Sequence, residues 1–348
     1  MGVRTVLVCA VQVPLVEGGA ESLSRELVRE LRARGYRSEL IALPYKWYPK
    51  EEIFTHAAAW RLLDLSEVTG QRIDCVIATK FPSYCVRHPN KSIWLLHQHR
   101  AAYDLCGNPL CADFELNELD IAARERLIEL DTRMIREARR VYTIGAVPTA
   151  RLERYNGLSA PPLHHPPRLA ARLRPGPYGD YVLSVGRLEA LKRVDLAIRA
   201  LAAGPARLRL VVAGEGPHRP DLERLATELG VGDRVQFAGR VDDDTLIELY
   251  ANALAVVFAP VDEDYGYITL EAMLSAKPLI TARDAGGPLE FVQDGVNGWV
   301  CEPEADSIAA AFARLDADRG LAASFGLAAR ERAAVVTWDG VIEKLVGE

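Results

Sequence analysis

The sequence predicts an α/β protein of two doubly wound domains, each a parallel sheet with helices on both faces. Three observations predict it. Apolar, β-branched runs alternate with segments of helical period along nearly all of the 348 residues. The runs are almost continuously apolar, the pattern of strands covered on both faces rather than one. Finally, SAPPLHHPPRLAARLRPGPYG (159–179) carries six prolines and interrupts the alternation, which then restarts; it reads as an interdomain linker. The domains are therefore placed at 1–165 and 176–331, with a helical segment over 332–348.

Taken in order, the first half offers strands at TVLVCAVQ (5–12), YRSELIAL (36–43), CVIATKF (75–81), IWLLHQH (93–99) and RVYTIG (140–145), with helical stretches between most of them, the first being ESLSRELVRELRARG. The second half alternates strictly. Strands YVLSVGRL (181–188), LRLVVAGEG, VQFAGRV, LAVVFAP and PLITAR enclose helices VDLAIRALAA, DLERLATELG, DTLIELYANA and a last one around TLEAML. Such alternation requires crossover helices and a parallel sheet. TWDGVIEKLV near the C-terminus reads as a helix.

Composition excludes several classes. A net charge of −6 with no basic stripe argues against nucleic-acid binding as the main activity. The first ten residues lack the apolar core of a secretory leader, and no run of about 18 apolar residues occurs, so a soluble, cytoplasmic protein is expected. Arg25, Arg29, Arg32 and Arg34 lie on one predicted helix, which reads either as a solvated face or as a peripheral contact with the inner, anionic face of a membrane. Six scattered cysteines read as reduced, mostly buried thiols. CGNPLC (106–111), near His97 and His99, has poor zinc spacing and reads as a mobile loop. D-x-D within DEDY (262–265) and DDD (242–244) raise a divalent metal, but the expectation is no metal and no cofactor.

Open α/β sheets bind ligands at the carboxyl ends of their strands, so polar groups just after strands are the candidates. Gly18 and Gly19, in EGGAES (17–22), either offer bare N–H groups to a phosphate or merely make a turn. Arg187 and Lys192, in GRLEALKR (186–193), either neutralise a diphosphate or form a solvated pair. AGEGP (213–217) reads as a simple turn. In DEDYGYITLEA (262–272), Glu263 follows a strand and Glu271 lies near the start of the next helix. Two carboxylates so spaced suit the hydroxyls of a ligand with two polyol portions; the bland reading is a surface pair, with Glu271 complementing a helix dipole.

GGA (18–20), GRLEALKRVDLAIRAL, LVVAGEGP, VQFAGRV and EDYGYITLEAM…KPLITARDAGGPLEFVQDGVNGWV together resemble the retaining nucleotide-sugar glycosyltransferases of family 4, with the E-x7-E spacing at Glu263 and Glu271. The resemblance spans nearly the whole chain and is weaker over 44–140. It implies a GT-B fold, two Rossmann-like domains facing a central cleft, with the C-terminal segment crossing back to the first domain. Arg187 and Lys192 would bind the donor diphosphate, Glu271 the ribose, and Glu263 the transferred sugar, assisted by backbone near Tyr265 and Gly266. Backbone around Arg240 and Val241 would meet the base, and Gly18 and Gly19 would close on the phosphates. His97 matches the family histidine near the donor sugar, with His99, read as lying on the same side of a strand, as the competing assignment. The implied partners are a nucleotide-sugar donor and a glycan, lipid-linked or small-molecule acceptor that segments 50–70 and 100–118 could meet. A nucleotide-sugar epimerase and a non-catalytic nucleotide-sugar-binding protein are the alternatives.

Overall fold

The computed structural model describes residues 3–15, 18–108 and 113–347. Its contacts divide the chain into two compact units, Met1–Arg168 with Thr337–Glu348, and Leu169–Val336.

In the first unit, β1 (Thr5–Gln12), β2 (Arg37–Pro44), β5 (Cys75–Ala78), β6 (Lys91–Leu95) and β7 (Arg140–Thr143) form one sheet in the order β2-β1-β5-β6-β7. Every pairing in it is parallel. The interior of β1 is buried at six successive residues, as a doubly covered strand demands. A two-residue antiparallel hairpin, β3 (Glu67–Val68) with β4 (Gln71–Arg72), stands apart. Helix α1 (Gly19–Ala33) buries Leu23, Leu27, Val28 and Leu31, one stripe at helical spacing. Helices α2 (Glu51–Leu62), α3 (Glu118–Arg136) and α4 (Ala146–Asn156) complete the layers.

The second unit runs β8 (Tyr181–Val185), α5 (Val194–Ala203), β9 (Arg209–Ala213), α6 (Arg219–Glu228), β10 (Val235–Gly239), α7 (Asp243–Asn252), β11 (Ala255–Val257), α8 (Tyr267–Leu274), β12 (Leu279–Ala282), β13 (Gly298–Cys301), α9 (Ala305–Ala317) and α10 (Arg319–Ala334). Its parallel sheet has the order β10-β9-β8-β11-β12-β13. The strand β13 is absent from the sequence reading, because GWVC is short and follows a turn-rich stretch. Its pairing with β12 makes it a strand through tertiary contact.

The proline-rich segment is not one uniform linker. Its start adds to the first unit: Leu163 N–H donates to Thr143 O at 2.8 Å and Thr143 N–H to Pro161 O at 3.2 Å, an edge position that prolines tolerate. Its end is fixed to the second unit by Lys277, fully buried, whose Nζ donates to Gly176 O and Pro177 O, both at 2.9 Å, and lies 4.0 Å from the centre of the Tyr178 ring. Burial lowers the Lys277 pKa to about 8. The final helix, α11 (Trp338–Val346), belongs to the first unit: Leu345 O accepts from Ser92 Oγ at 2.6 Å, and Trp338 stacks edge-on to Trp94 at 6.0 Å.

One polar cluster lies within the first unit's core. Asp131 is fully buried on α3 and accepts from Tyr103 Oη at 2.6 Å, while Asn156 Nδ2 donates to Thr132 Oγ1 at 2.8 Å beside it. Burial pushes Asp131 from its ordinary 3.8 up to about 7, against the smaller opposing effect of the Tyr103 hydrogen bond. Between those two values the folded chain holds a proton that the unfolded chain releases, so this group's stabilisation is complete below about pH 4 and is lost as pH rises through 7. Denaturant melts at pH 5, 6, 7 and 8 are expected to show a smaller decline with pH for Asp131→Asn than for the wild type. Identical pH slopes would contradict this placement of the proton.

Candidate functional site

In the second unit's sheet, successive strands run outward from β8 to β10, and the order then reverses at β11. The switch point therefore lies between β8 and β11, where the strand-end loops diverge and leave room for a ligand. Those two loops carry Arg187, Lys192 and Glu263.

The loops are fastened before any ligand arrives. Val261 N–H donates to Leu191 O at 2.9 Å. Arg193, at φ +49°, donates from Nε to Ala259 O at 2.7 Å, from Nη2 to Pro260 O at 2.6 Å, and from both Nη atoms to the Asp284 carboxylate at 2.9 and 2.6 Å. One guanidinium thus ties the β8 loop to the ends of β11 and β12. Sequence reasoning missed it; its only signal was a third cation next to Lys192. The residue beside it, Lys192, forms an ion pair with Glu263, the two side chains being 18% and 23% exposed. The predicted diphosphate cation and the predicted sugar carboxylate are therefore each other's partners.

Glu263 is held through its backbone. Its N–H donates to Ala285 O at 2.9 Å, and its carbonyl accepts from Gly287 N–H at 2.7 Å. A Cβ on Gly286, at φ +76°, would stand 2.7 Å from that carbonyl oxygen, and one on Gly287 would stand 2.7 Å from Tyr265 O. The glycine pair of DAGGPLE is required by this backbone-to-backbone approach. Likewise, a Cβ on Gly214 would fall 1.9 Å from Gly186 O and one on Gly216 would fall 2.4 Å from Leu188 O. AGEGP is therefore a close crossing of two loops rather than a simple turn.

Glu271 lies in the second turn of the eight-residue α8, not at its start, so it does not complement that helix's first turn. Its Oε2 accepts from Tyr250 Oη at 2.8 Å; Tyr250, on α7, is fully buried. Gly266 caps α8 at φ +78°, where a Cβ would meet the Phe258 ring at 3.0 Å. Tyr265 is buried edge-on to Tyr267 and Phe291. Arg187 is exposed, with Nη1 2.8 Å from Glu189. Arg240 and Val241 follow β10, Arg240 exposed.

The first unit departs from expectation at two places. The Gly18 N–H is not bare: it donates to Glu21 Oε2 at 3.0 Å, and Glu21 Oε1 accepts from Lys80 Nζ at 2.8 Å, with both side chains about nine-tenths buried. The Glu21 carboxylate, in the role of the acidic half of a capping box, fills the end of α1 where a phosphate was expected. Gly19 is the first residue of that helix and is exposed. His97 and His99 both lie beyond β6, which ends at Leu95, so the argument from one strand face fails. His97 Nδ1 is 2.7 Å from Gln98 O. His99 Nδ1 is 3.4 Å from Tyr45 Oη, and burial lowers its pKa to about 4. Arg151, buried, pairs with Asp104 at 2.9 Å and reaches Gln98 Oε1 at 3.4 Å, fixing the segment that carries both histidines.

The acidic runs have local duties. Asp242 caps α7 by accepting from Thr245 N–H at 2.8 Å, and Asp243 and Asp244 pair with Arg172. No group of three His, Cys, Asp or Glu side chains among the described residues is arranged to hold a metal ion. Cys111 lies outside the described residues, while Cys9, Cys75, Cys85 and Cys301 are buried and Cys106 half-buried. On α1, Arg29 and Arg34 pair with Glu26, Glu30 and Asp339, and Arg32 donates to Ser38 O at 2.7 Å. No described helix is long and apolar enough to cross a membrane.

Residues 173–332 match the family model for glycosyl transferases group 1. The second unit is thus similar to that family over nearly its whole length. Among curated relatives, an uncharacterized glycosyltransferase of Methanocaldococcus jannaschii is 40% identical over 142 residues, which are 40% of this chain and 36% of that protein. A D-inositol 3-phosphate glycosyltransferase of Acidothermus cellulolyticus is 35% identical over 182 residues, 49% of this chain and 40% of that one. The human alpha-1,3/1,6-mannosyltransferase ALG2 is 31% identical over 167 residues, 43% and 40% of the two chains. The chain thus spans about two fifths of the length of the curated relatives it matches. Among solved structures, sucrose-phosphate synthase from Thermosynechococcus elongatus superposes with a TM-score of 0.77 at 19% identity, covering 96% of each chain. HepE from Anabaena, in complex with UDP and glucose, gives 0.71 at 17%, covering 98% of this chain and 100% of the other. The chain has the GT-B fold.

Within the second unit, Gly286→Ala forces a left-handed residue and a Cβ against the Glu263 backbone. It is expected to cost about 1–3 kcal/mol, read as a lower midpoint in urea denaturation. An unchanged midpoint would show that the two loops part without cost.

Proposed function

We propose that the protein is a retaining glycosyltransferase that moves a hexose-type sugar from a nucleoside-diphosphate sugar to an acceptor hydroxyl, without a catalytic metal. The observation that carries this reading is the Lys192–Glu263 pair at the switch point, with Arg187 on the same loop. Breaking the bond from the anomeric carbon to the diphosphate builds negative charge on the leaving group, which fixed cations stabilise in a desolvated site. Lys192 and Arg187 supply that charge. Glu263 accepts from hydroxyls of the transferred sugar, and Glu271, oriented by Tyr250, from those of the ribose.

Retention follows from a front-face route, in which an oxygen of the departing phosphate takes the acceptor proton and no protein nucleophile intervenes. Support comes from the group 1 match, from relatives named as transferases of sugars, and from the neighbour solved with UDP and glucose. His97, Gly18 and Gly19 are assigned to the donor by the same resemblance, Gly18 contributing once Glu21 releases its N–H. Arg240 and Val241 are assigned to the base, and Tyr265 and Gly266 to the sugar. The acceptor is a glycan, a lipid-linked sugar or a small molecule.

Incubation with a panel of nucleotide sugars, with and without acceptors, is expected to give acceptor-dependent release of nucleoside diphosphate. With the active pair identified, Arg187→Ala combined with Lys192→Ala is expected to lower kcat about 100- to 1000-fold at saturating donor. Wild-type turnover in that variant would refute leaving-group stabilisation by these cations. Acceptor-free conversion of the donor would refute transfer itself.

A further inference from the structure

A cavity of about 560 Å³ opens on the first unit along α2 and α3. Its lining carries four guanidinium groups, Arg61, Arg87, Arg126 and Arg133, together with apolar side chains that include Phe54 and Met134. The charges do not cancel. Glu137 is committed to Arg61 through two hydrogen bonds of 2.5 and 2.8 Å and lies 3.8 Å from the buried Lys91. Arg87 and Arg133 form no ion pair within 4 Å among the described residues, although Arg87 helps to lower the Glu137 pKa from a longer distance. Arg126 places its guanidinium 4.6 Å from the centre of the Phe54 ring, a cation–π contact that is compatible with an anion on its N–H donors. Setting Arg61 against Glu137, three cations face one remaining lining carboxylate, Glu129, an excess of two positive charges on a chain whose net charge is −6.

The cavity is remote from the carboxyl ends of the strands. Arg87 precedes β6, and Glu137 sits at the end of α3 just before β7, where Arg139 N–H donates to Lys91 O. These are amino ends of strands, whereas His97 follows the carboxyl end of β6; five residues of strand, roughly 16 Å, separate them. Arg187, Lys192 and Glu263 are not among the cavity's lining residues; it shares with the acceptor expectation only the segment 50–70, through residues that include Phe54 and Arg61.

We infer that this cavity binds a small organic phosphate, its phosphate among Arg87, Arg126 and Arg133 and its apolar portion on Phe54 and Met134. Planar guanidinium forks match phosphate oxygens two at a time, an excess of two charges matches a phosphate dianion, and the volume lies in the range of small-molecule sites. The apolar part of the lining rewards an organic group over inorganic phosphate.

Isothermal titration of the full chain with phenyl phosphate, with inorganic phosphate and, by co-sedimentation, with phosphatidylglycerol vesicles tests this. Phenyl phosphate is expected to bind with one-to-one stoichiometry and at least fivefold more tightly than inorganic phosphate. Arg87→Ala with Arg133→Ala is expected to weaken it at least tenfold, with the melting temperature unchanged because neither arginine holds an ion pair. Binding should persist in the Arg187→Ala, Lys192→Ala variant, which separates this site from the proposed donor site whether or not transfer is confirmed. Absence of binding, equal affinity in the Arg87/Arg133 variant, loss in the Arg187/Lys192 variant, equal affinity for inorganic phosphate, or association with vesicles alone would each overturn the inference.

Discussion

The arrangement at the switch point depends on Arg193. One guanidinium accounts for two carbonyls at the end of β11 and both oxygens of Asp284 after β12, so three strand-end loops share one anchor. The neighbouring Lys192 has little freedom to leave, and Glu263, tied through its own backbone to the Ala285–Gly287 segment, meets it as a fixed counter-ion. Opposite charges held ready in this way need not be gathered when a charged ligand enters, which is the physical content of preorganisation. The ion pair also sets a competition: whatever anion Lys192 accepts must share it with Glu263.

Much of this was legible in the sequence, and the reasons are specific. Strand β1 and helix α5 fall where the continuous apolar run and the helical period put them, because burial on both faces leaves a pattern that local composition reports. The carboxylates and cations were legible because they follow strands. What could not be read was who touches whom. Nothing local links Lys192 to Glu263 across 71 residues, Tyr250 to Glu271, or Arg193 to Asp284; these contacts are made by the sheet order. The Gly214 and Gly286 crossings were hidden for the same reason, since a glycine in a turn and a glycine under a neighbouring backbone look alike in a sequence. Glu21 gave no clear signal, because the capping-box pattern begins with Ser, Thr, Asp or Asn and the N-cap here is a glycine.

The first unit shows the same economy with charge. Lys80 and Glu21, Arg151 and Asp104, and Arg61 and Glu137 are matched pairs that brace helices or loops against the sheet. Against that background the unmatched arginines along α2 and α3 stand out, as does Asp131, a carboxyl whose pKa burial raises to about 7. The acidic runs at 242–244, by contrast, are spent on a helix cap and on Arg172.

The competition at Lys192 offers the most direct test. Affinities for free UDP and GDP, and for the matching nucleotide sugar, are to be measured by calorimetry for the wild type and for Glu263→Gln. Losing the internal counter-ion should tighten the bare nucleoside diphosphate while weakening the intact nucleotide sugar, whose hydroxyls lose their carboxylate. Were both ligands to change in the same direction, or neither to change, the pairing of cation and carboxylate around one donor would be contradicted.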